Sequence, residues 1–202
     1  MGLRARQKAD RNARIIQAAT ALFRDSGFDA VRMETIAAVA EVSAGTVYNY
    51  FPTKGDLLVA IVSHEVEEVL EAGEATIKDP PPHVIAALSQ LVHGYFDHSL
   101  NYLSKDMWRT AMAMTIQMPD TASSQHYVAL DARLRGQVVA LLAALQARGH
   151  LRAVLDPVAV GAVVFHNLDA MFRIFVTTDQ PLAALRDAVD AQHRALAVLI
   201  AH

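Results

Sequence analysis

Apolar residues recur at helical spacing along the chain, and glycine and proline punctuate them. Ile15, Ile16, Ala19, Leu22 and Phe23 form one face over Arg11–Ser26, and Gly27 is a natural stop. Phe28 and Val31 follow as core candidates. A short pattern at about 32–40 carries Ile36, Ala37, Val39 and Ala40. After a break at Glu41-Val42, Ser43 offers an N-cap hydroxyl to a third helix. That helix is small at its start and then aromatic (Tyr48, Tyr50, Phe51). Pro52 ends it, because the residue before a proline is pushed away from helical angles. Lys54 to about Lys78 reads as one long helix, with Leu57, Leu58, Ile61, Val62, Val66, Val69 and Leu70 inside. Glu65, Glu67, Glu68, Glu71 and Glu74 form its acidic outer face, and Asp79-Pro80-Pro81-Pro82 stops it. Further helices are expected over 83–103, 106–118 and 121–148. Asp156 then caps, and Pro157 opens, a helix over 157–178 that is apolar almost all round. The last helix covers 182–200. The expected fold is all-α, with about nine helices.

Two short helices joined by a tight turn are the layout of a helix-turn-helix. Its second helix suits the DNA major groove. Ser43, Ala44 and Gly45 let the backbone approach base edges and phosphates. Thr46 can bond a phosphate or touch a thymine methyl, and Tyr48 and Tyr50 carry hydroxyls on rigid stems. Tyr48 is read as a phosphate contact, whereas Val47 and Phe51 are read as core. Lys54 can reach a phosphate. Asn49 can pair with adenine, and Tyr50 and Gly45 are placed for base contact or close approach. Glu34 either accepts from a cytosine amino group or simply faces solvent.

Three stretches, Phe-Arg-Asp-Ser-Gly-Phe-Asp-Ala (23–30), Ile-Ala-Ala-Val-Ala (36–40) and Val-Ser-Ala-Gly-Thr-Val-Tyr-Asn-Tyr-Phe-Pro-Thr-Lys-Gly-Asp-Leu-Leu (42–58), resemble the DNA-binding domain of TetR-family transcriptional regulators. The resemblance covers roughly residues 11–60. It implies an all-helical homodimer with a small N-terminal DNA-binding domain and a larger C-terminal domain that binds a small effector and dimerises. Two positions depart from the family pattern. The family usually has Ser or Thr where Arg32 stands. Arginine can meet a phosphate but cannot cap, and a lost cap costs about 1 kcal/mol. The family usually has glycine where Glu41 stands. A left-handed Glu41 would hold about 1–2 kcal/mol of strain.

Charge sharpens this division. Residues 1–54 hold eight Lys/Arg and five Asp/Glu, a net of +3. The remainder nets −6, for −3 overall. Basic charge therefore sits with the helix-turn-helix. Arg4, Arg6 and Lys8 lie on a stretch (1–10) read as a flexible arm, either reaching DNA or simply solvated. The expected domains are 1–54 for DNA binding and 55–202 for effector binding and dimerisation. With no cysteine there is no disulfide framework. With no signal peptide and no uncharged apolar run long enough to span a bilayer, a soluble cytoplasmic protein is expected, without a membrane.

The chemistry of an enzyme is not evident. His93 with Asp97, and His166 with Asp169, share helical faces, but no three-ligand cluster is legible along the chain, so no metal and no cofactor are expected. There is no nucleophile motif, phosphate-binding glycine loop or dinucleotide fingerprint. Tyr95, Phe96, Trp108, Met112, Tyr127, Phe165, Asn167 and Phe172 combine apolar surface with a few polar groups. They are the candidates for a cavity holding an apolar or amphipathic effector. The leading reading is a one-component regulator, a repressor on a palindromic operator. Its homodimer would form through the helices at about 157–178 and 182–200. Two other readings compete: a ligand carrier or enzyme with a vestigial DNA-binding domain, and an architectural DNA-binding protein.

Overall fold

A computed structural model describes residues 2–201. Its described residues form nine α-helices: α1 (Leu3–Ser26), α2 (Met33–Val39), α3 (Ala44–Tyr50), α4 (Lys54–Lys78), α5 (Val84–Ser99), α6 (Lys105–Gln117), α7 (Ala122–Ala147), α8 (Pro157–Thr177) and α9 (Leu182–Ile200). They fall into two compact units. One gathers the chain up to His64 with Tyr102–Tyr127. The other gathers Glu65–Asn101 with the chain from Val128 onward.

In the first unit α2 packs on α1 and on α3. Ile15, Ala19, Phe23, Ile36, Val47, Leu57 and Leu58 are buried. The stop at Gly27 is real: its φ is 82°, a conformation that suits glycine. Two expectations change here. Residues 3–10, expected as a loose arm, are the opening turns of α1. Their Arg-Ala-Arg-Gln-Lys-Ala run is polar but strongly helix-forming, so it continues the helix without an apolar face. Val39, expected in the apolar stripe, is 56 % exposed. The buried set of α2 is Met33, Ile36, Ala37 and Ala40, which is the i, i+3, i+4, i+7 template and leaves Val39 outside it.

The start of α4 uses a device missed in the sequence. Thr53 Oγ1 accepts from the Asp56 N–H at 3.0 Å and donates to Asp56 Oδ2 at 2.8 Å. This ties the first turn to the residue that precedes it, and Thr-x-x-Asp before an apolar run is its signature.

In the second unit α9 packs on α5 and α8. Leu88, Leu91, Val92, Leu141, Leu142, Leu185 and Val189 fill the interior. Gly161 lets α8 approach α7: a Cβ there would stand 2.6 Å from Val139 Cγ2 and 3.0 Å from its Cα. Asp156 caps α8 as expected, accepting from the Val158 N–H at 2.9 Å. The apolar surface of α8 is only partly buried. Val158, Val163 and Ile174 are 62 %, 66 % and 57 % exposed. By length and composition α8 is apolar enough to cross a membrane. It carries a salt bridge between Asp169 and Arg173 at 2.9 Å.

Candidate nucleic-acid interface

The turn between α2 and α3 is closed by backbone hydrogen bonds. The Glu41 N–H donates to Ala38 O at 3.2 Å and the Val42 N–H to Ala37 O at 3.0 Å. This pair defines a Schellman ending, whose first residue beyond the cap is left-handed and usually glycine. That residue is Glu41, with φ 54°, the one positive-φ residue other than glycine among those described. Its carboxylate gains little in return, standing 3.9 Å from an Arg14 nitrogen and mostly in solvent. Glu41→Gly is therefore expected to raise the unfolding free energy by about 1 kcal/mol. The relief of strain is partly offset by the freer unfolded chain. Urea denaturation checks this, and an unchanged or lower midpoint would mean that Glu41 is not strained.

At the N-terminus of α3, Ser43 Oγ accepts from the Thr46 N–H at 3.1 Å and lies 2.8 Å from Thr46 Oγ1. The cap read from the sequence is in place. Arg32 occupies the cap position of α2 and makes no side-chain cap bond. Val47 and Phe51 are buried, and Phe51 is extended ahead of Pro52. Arg32, Glu34, Ser43, Gly45, Tyr48 and Asn49 are exposed, with Ala44, Thr46 and Tyr50 half-buried. The Tyr48 hydroxyl donates to Glu34 Oε1 at 3.3 Å, joining the outer faces of α2 and α3.

Two further contact candidates, Tyr50 and Lys54, are held by backbone carbonyls. The Tyr50 hydroxyl donates to Lys8 O on α1 at 3.1 Å. Lys54, expected to meet a phosphate, points its Nζ at Phe28 O (2.7 Å), Asp29 O (3.1 Å) and Val31 O (3.0 Å). It also sits 4.5 Å above the Phe28 ring. An ammonium has three donors, and three carbonyls accept them. Lys54 thus fastens the 28–31 loop beneath the helix-turn-helix, which spacing along the chain does not reveal.

The candidate effector residues divide between the units. Trp108, Met112 and Tyr127 are buried in the first. In the second, the Phe96 ring stacks on Phe172 at 5.9 Å, and Phe165 is half-buried. The Tyr95 hydroxyl donates to Gln137 Oε1 at 2.8 Å, and burial, followed by the Glu74 charge, pushes its pKa well up. Gln137, which sequence reasoning missed, also donates to Leu70 O (2.7 Å) and Glu74 Oε1 (2.8 Å). It reaches them because residue 73 is glycine: a Cβ there would stand 2.5 Å from Gln137 Oε1. Asn167 differs from expectation. It is exposed, and its amide pairs with Gln192 on α9, because its position on α8 turns outward.

Residues 15–61, the span from α1 through the start of α4, match the model of the bacterial regulatory proteins of the tetR family. Over this span the chain is similar to the DNA-binding domain of TetR-family regulators. The HTH-type transcriptional repressor KstR of Rhodococcus jostii is 38 % identical over 79 residues, covering 39 % of this chain and 35 % of that protein. The match therefore spans about a third of that relative's length. The fatty acid metabolism regulator protein of Bacillus subtilis is 26 % identical over 192 residues, covering 91 % of this chain and 94 % of that protein. Among solved structures, Thermus thermophilus FadR, a TetR-family transcriptional repressor in complex with lauroyl-CoA, shares the fold with a TM-score of 0.64. It is 20 % identical, over 90 % of this chain and 92 % of that one.

Proposed function

We propose that this chain is a one-component transcriptional repressor of the TetR family in the cytoplasm, bound to a palindromic operator and released by a small amphipathic effector. The observation that carries the proposal is the joined, exposed face of α2 and α3, where Arg32, Glu34, Gly45, Tyr48 and Asn49 surround a capped, glycine-containing helix start. Arg32 and Thr46 hold phosphates, as does Tyr48 once its exposed hydroxyl turns from Glu34 to DNA; Gly45, Asn49 and Glu34 meet base edges. Dimerisation runs through α8 and α9. Exposed Val158, Val163 and Ile174 on the former, with Val198 and Leu199 on the latter, form the apolar surface that a second copy would cover. The effector is a fatty-acyl thioester, in line with the fatty-acid regulator that matches nearly the whole chain and the lauroyl-CoA bound to the Thermus relative.

The test is DNA binding followed by release on adding acyl-CoA of graded chain length; release indifferent to the acyl chain would contradict the effector class. Tyr48→Ala separates the two kinds of contact. It is expected to weaken operator and scrambled duplex alike, by about tenfold, because a phosphate contact carries no sequence information. A loss confined to the operator would place Tyr48 on a base or make it the support of Glu34.

A further inference from the structure

Beyond the DNA interface and the effector, one cluster in the second unit has the chemistry of a metal site. Glu65 and Glu68 are three residues apart on α4 and share a face. The Glu65 side chain is only 3 % exposed. An ionised carboxylate so buried needs a compensating positive charge. His98, in the last turn of α5, faces it: Nδ1 lies 2.6 Å from Glu65 Oε1, while Nε2 lies 3.8 Å from Glu68 Oε2. One ligand atom from each of the three side chains lies within 4.8 Å of the other two. Donors around one tetrahedral ion at about 2.0–2.2 Å stand roughly 3.3–3.5 Å apart. One ion takes a single His98 nitrogen, and the donor atoms, one per side chain, lie within 4.8 Å of one another, so side-chain shifts of about 1–1.5 Å would close the set around an ion.

We propose that Glu65, Glu68 and His98 bind a first-row divalent transition metal of the zinc class, joining α4 to α5. The donor set excludes the alternatives. An imidazole among the ligands disfavours magnesium and calcium, and the absence of thiolate disfavours copper(I). Glu68 and His98, 42 % and 25 % exposed, open the site to the solvent water that completes the coordination.

The test is calorimetric titration of ZnCl2 into tag-free, chelator-treated full-length protein, in two buffers of different ionisation enthalpy. The proposal expects one ion per chain and a proton released on binding, seen as a buffer-dependent heat. Glu68→Ala removes a half-exposed ligand and spares the buried pair, and His98→Ala removes the nitrogen. Each should weaken binding at least tenfold, while His166→Ala, on the exposed face of α8, should change nothing. No saturable uptake overturns the proposal. So does uptake unaltered by Glu68→Ala and His98→Ala, which would mean an adventitious ion only, on other histidines.

Discussion

Gly45→Trp is expected to fold as the parent does and to lose operator binding by at least about 100-fold, or roughly 2.7 kcal/mol. Gly45 is exposed on α3, and a Cβ built there meets only Ser43 Oγ, at 4.0 Å. The free protein has room for a large side chain. A base edge or phosphate approaching the start of α3 does not, since the proposed docking places that backbone against the groove. The thermal midpoint should move by no more than about 2 °C, as for other surface substitutions outside special geometry. The two readouts together are what matter: an unaltered midpoint with lost binding locates the interface at α3. Unaltered binding would remove α3 from the DNA face.

The second large effect concerns acid stability. His193 on α9 is 3 % exposed, and neither ring nitrogen has a hydrogen-bond partner. Burial pushes its pKa down to about 4 from 6.5. The Asp190 charge works against the shift, and His93 works with it. Asp190 is itself held elsewhere: Ser89 Oγ donates to its Oδ1 at 2.7 Å, and His93 Nε2 lies 3.0 Å from that oxygen. Between pH 6.5 and 4 the unfolded chain binds a proton that the folded chain refuses. The stability present above pH 6.5 is therefore lost as the pH falls through this window, by about 3 kcal/mol, and His193 adds no further loss below it. His193→Leu should flatten that part of the pH profile. It should also raise stability at pH 7 by about 1–3 kcal/mol, because a buried ring with two unsatisfied nitrogens is replaced by an apolar group. Urea unfolding at half-unit pH steps measures both. An unchanged pH profile, or a destabilised variant at pH 7, would show that the buried ring is satisfied in solution.

Much of the fold was legible because its punctuation is chemical. Pro52, the Asp79-Pro80 pair, Asp156-Pro157 and Pro181 stop or start helices through steric and capping effects that act within a few residues. For this reason the expected bounds of α4 and α9 coincide with those observed. The helix-turn-helix was legible for the same reason: Ser43 caps locally, and Glu41 betrays its strain by standing where glycine belongs. What stayed hidden depends on pairs far apart in sequence. Lys54 closes on carbonyls more than twenty residues earlier, Gln137 reaches across to α4, and His98 meets Glu65. No periodicity encodes such meetings. The partial exposure of α8 is a different case. Its all-round apolar pattern reports the surroundings of the whole helix, including a surface that one chain alone does not cover.

Specific reading of DNA by the α2–α3 face underlies the proposed repressor function. The direct measurement is fluorescence anisotropy with a duplex from the upstream region of the gene, against a scrambled duplex, at two salt concentrations. Salt-dependent binding that favours the upstream duplex by about 10³-fold or more is the expected result. Equal, weak binding to both duplexes at both salt concentrations would contradict it.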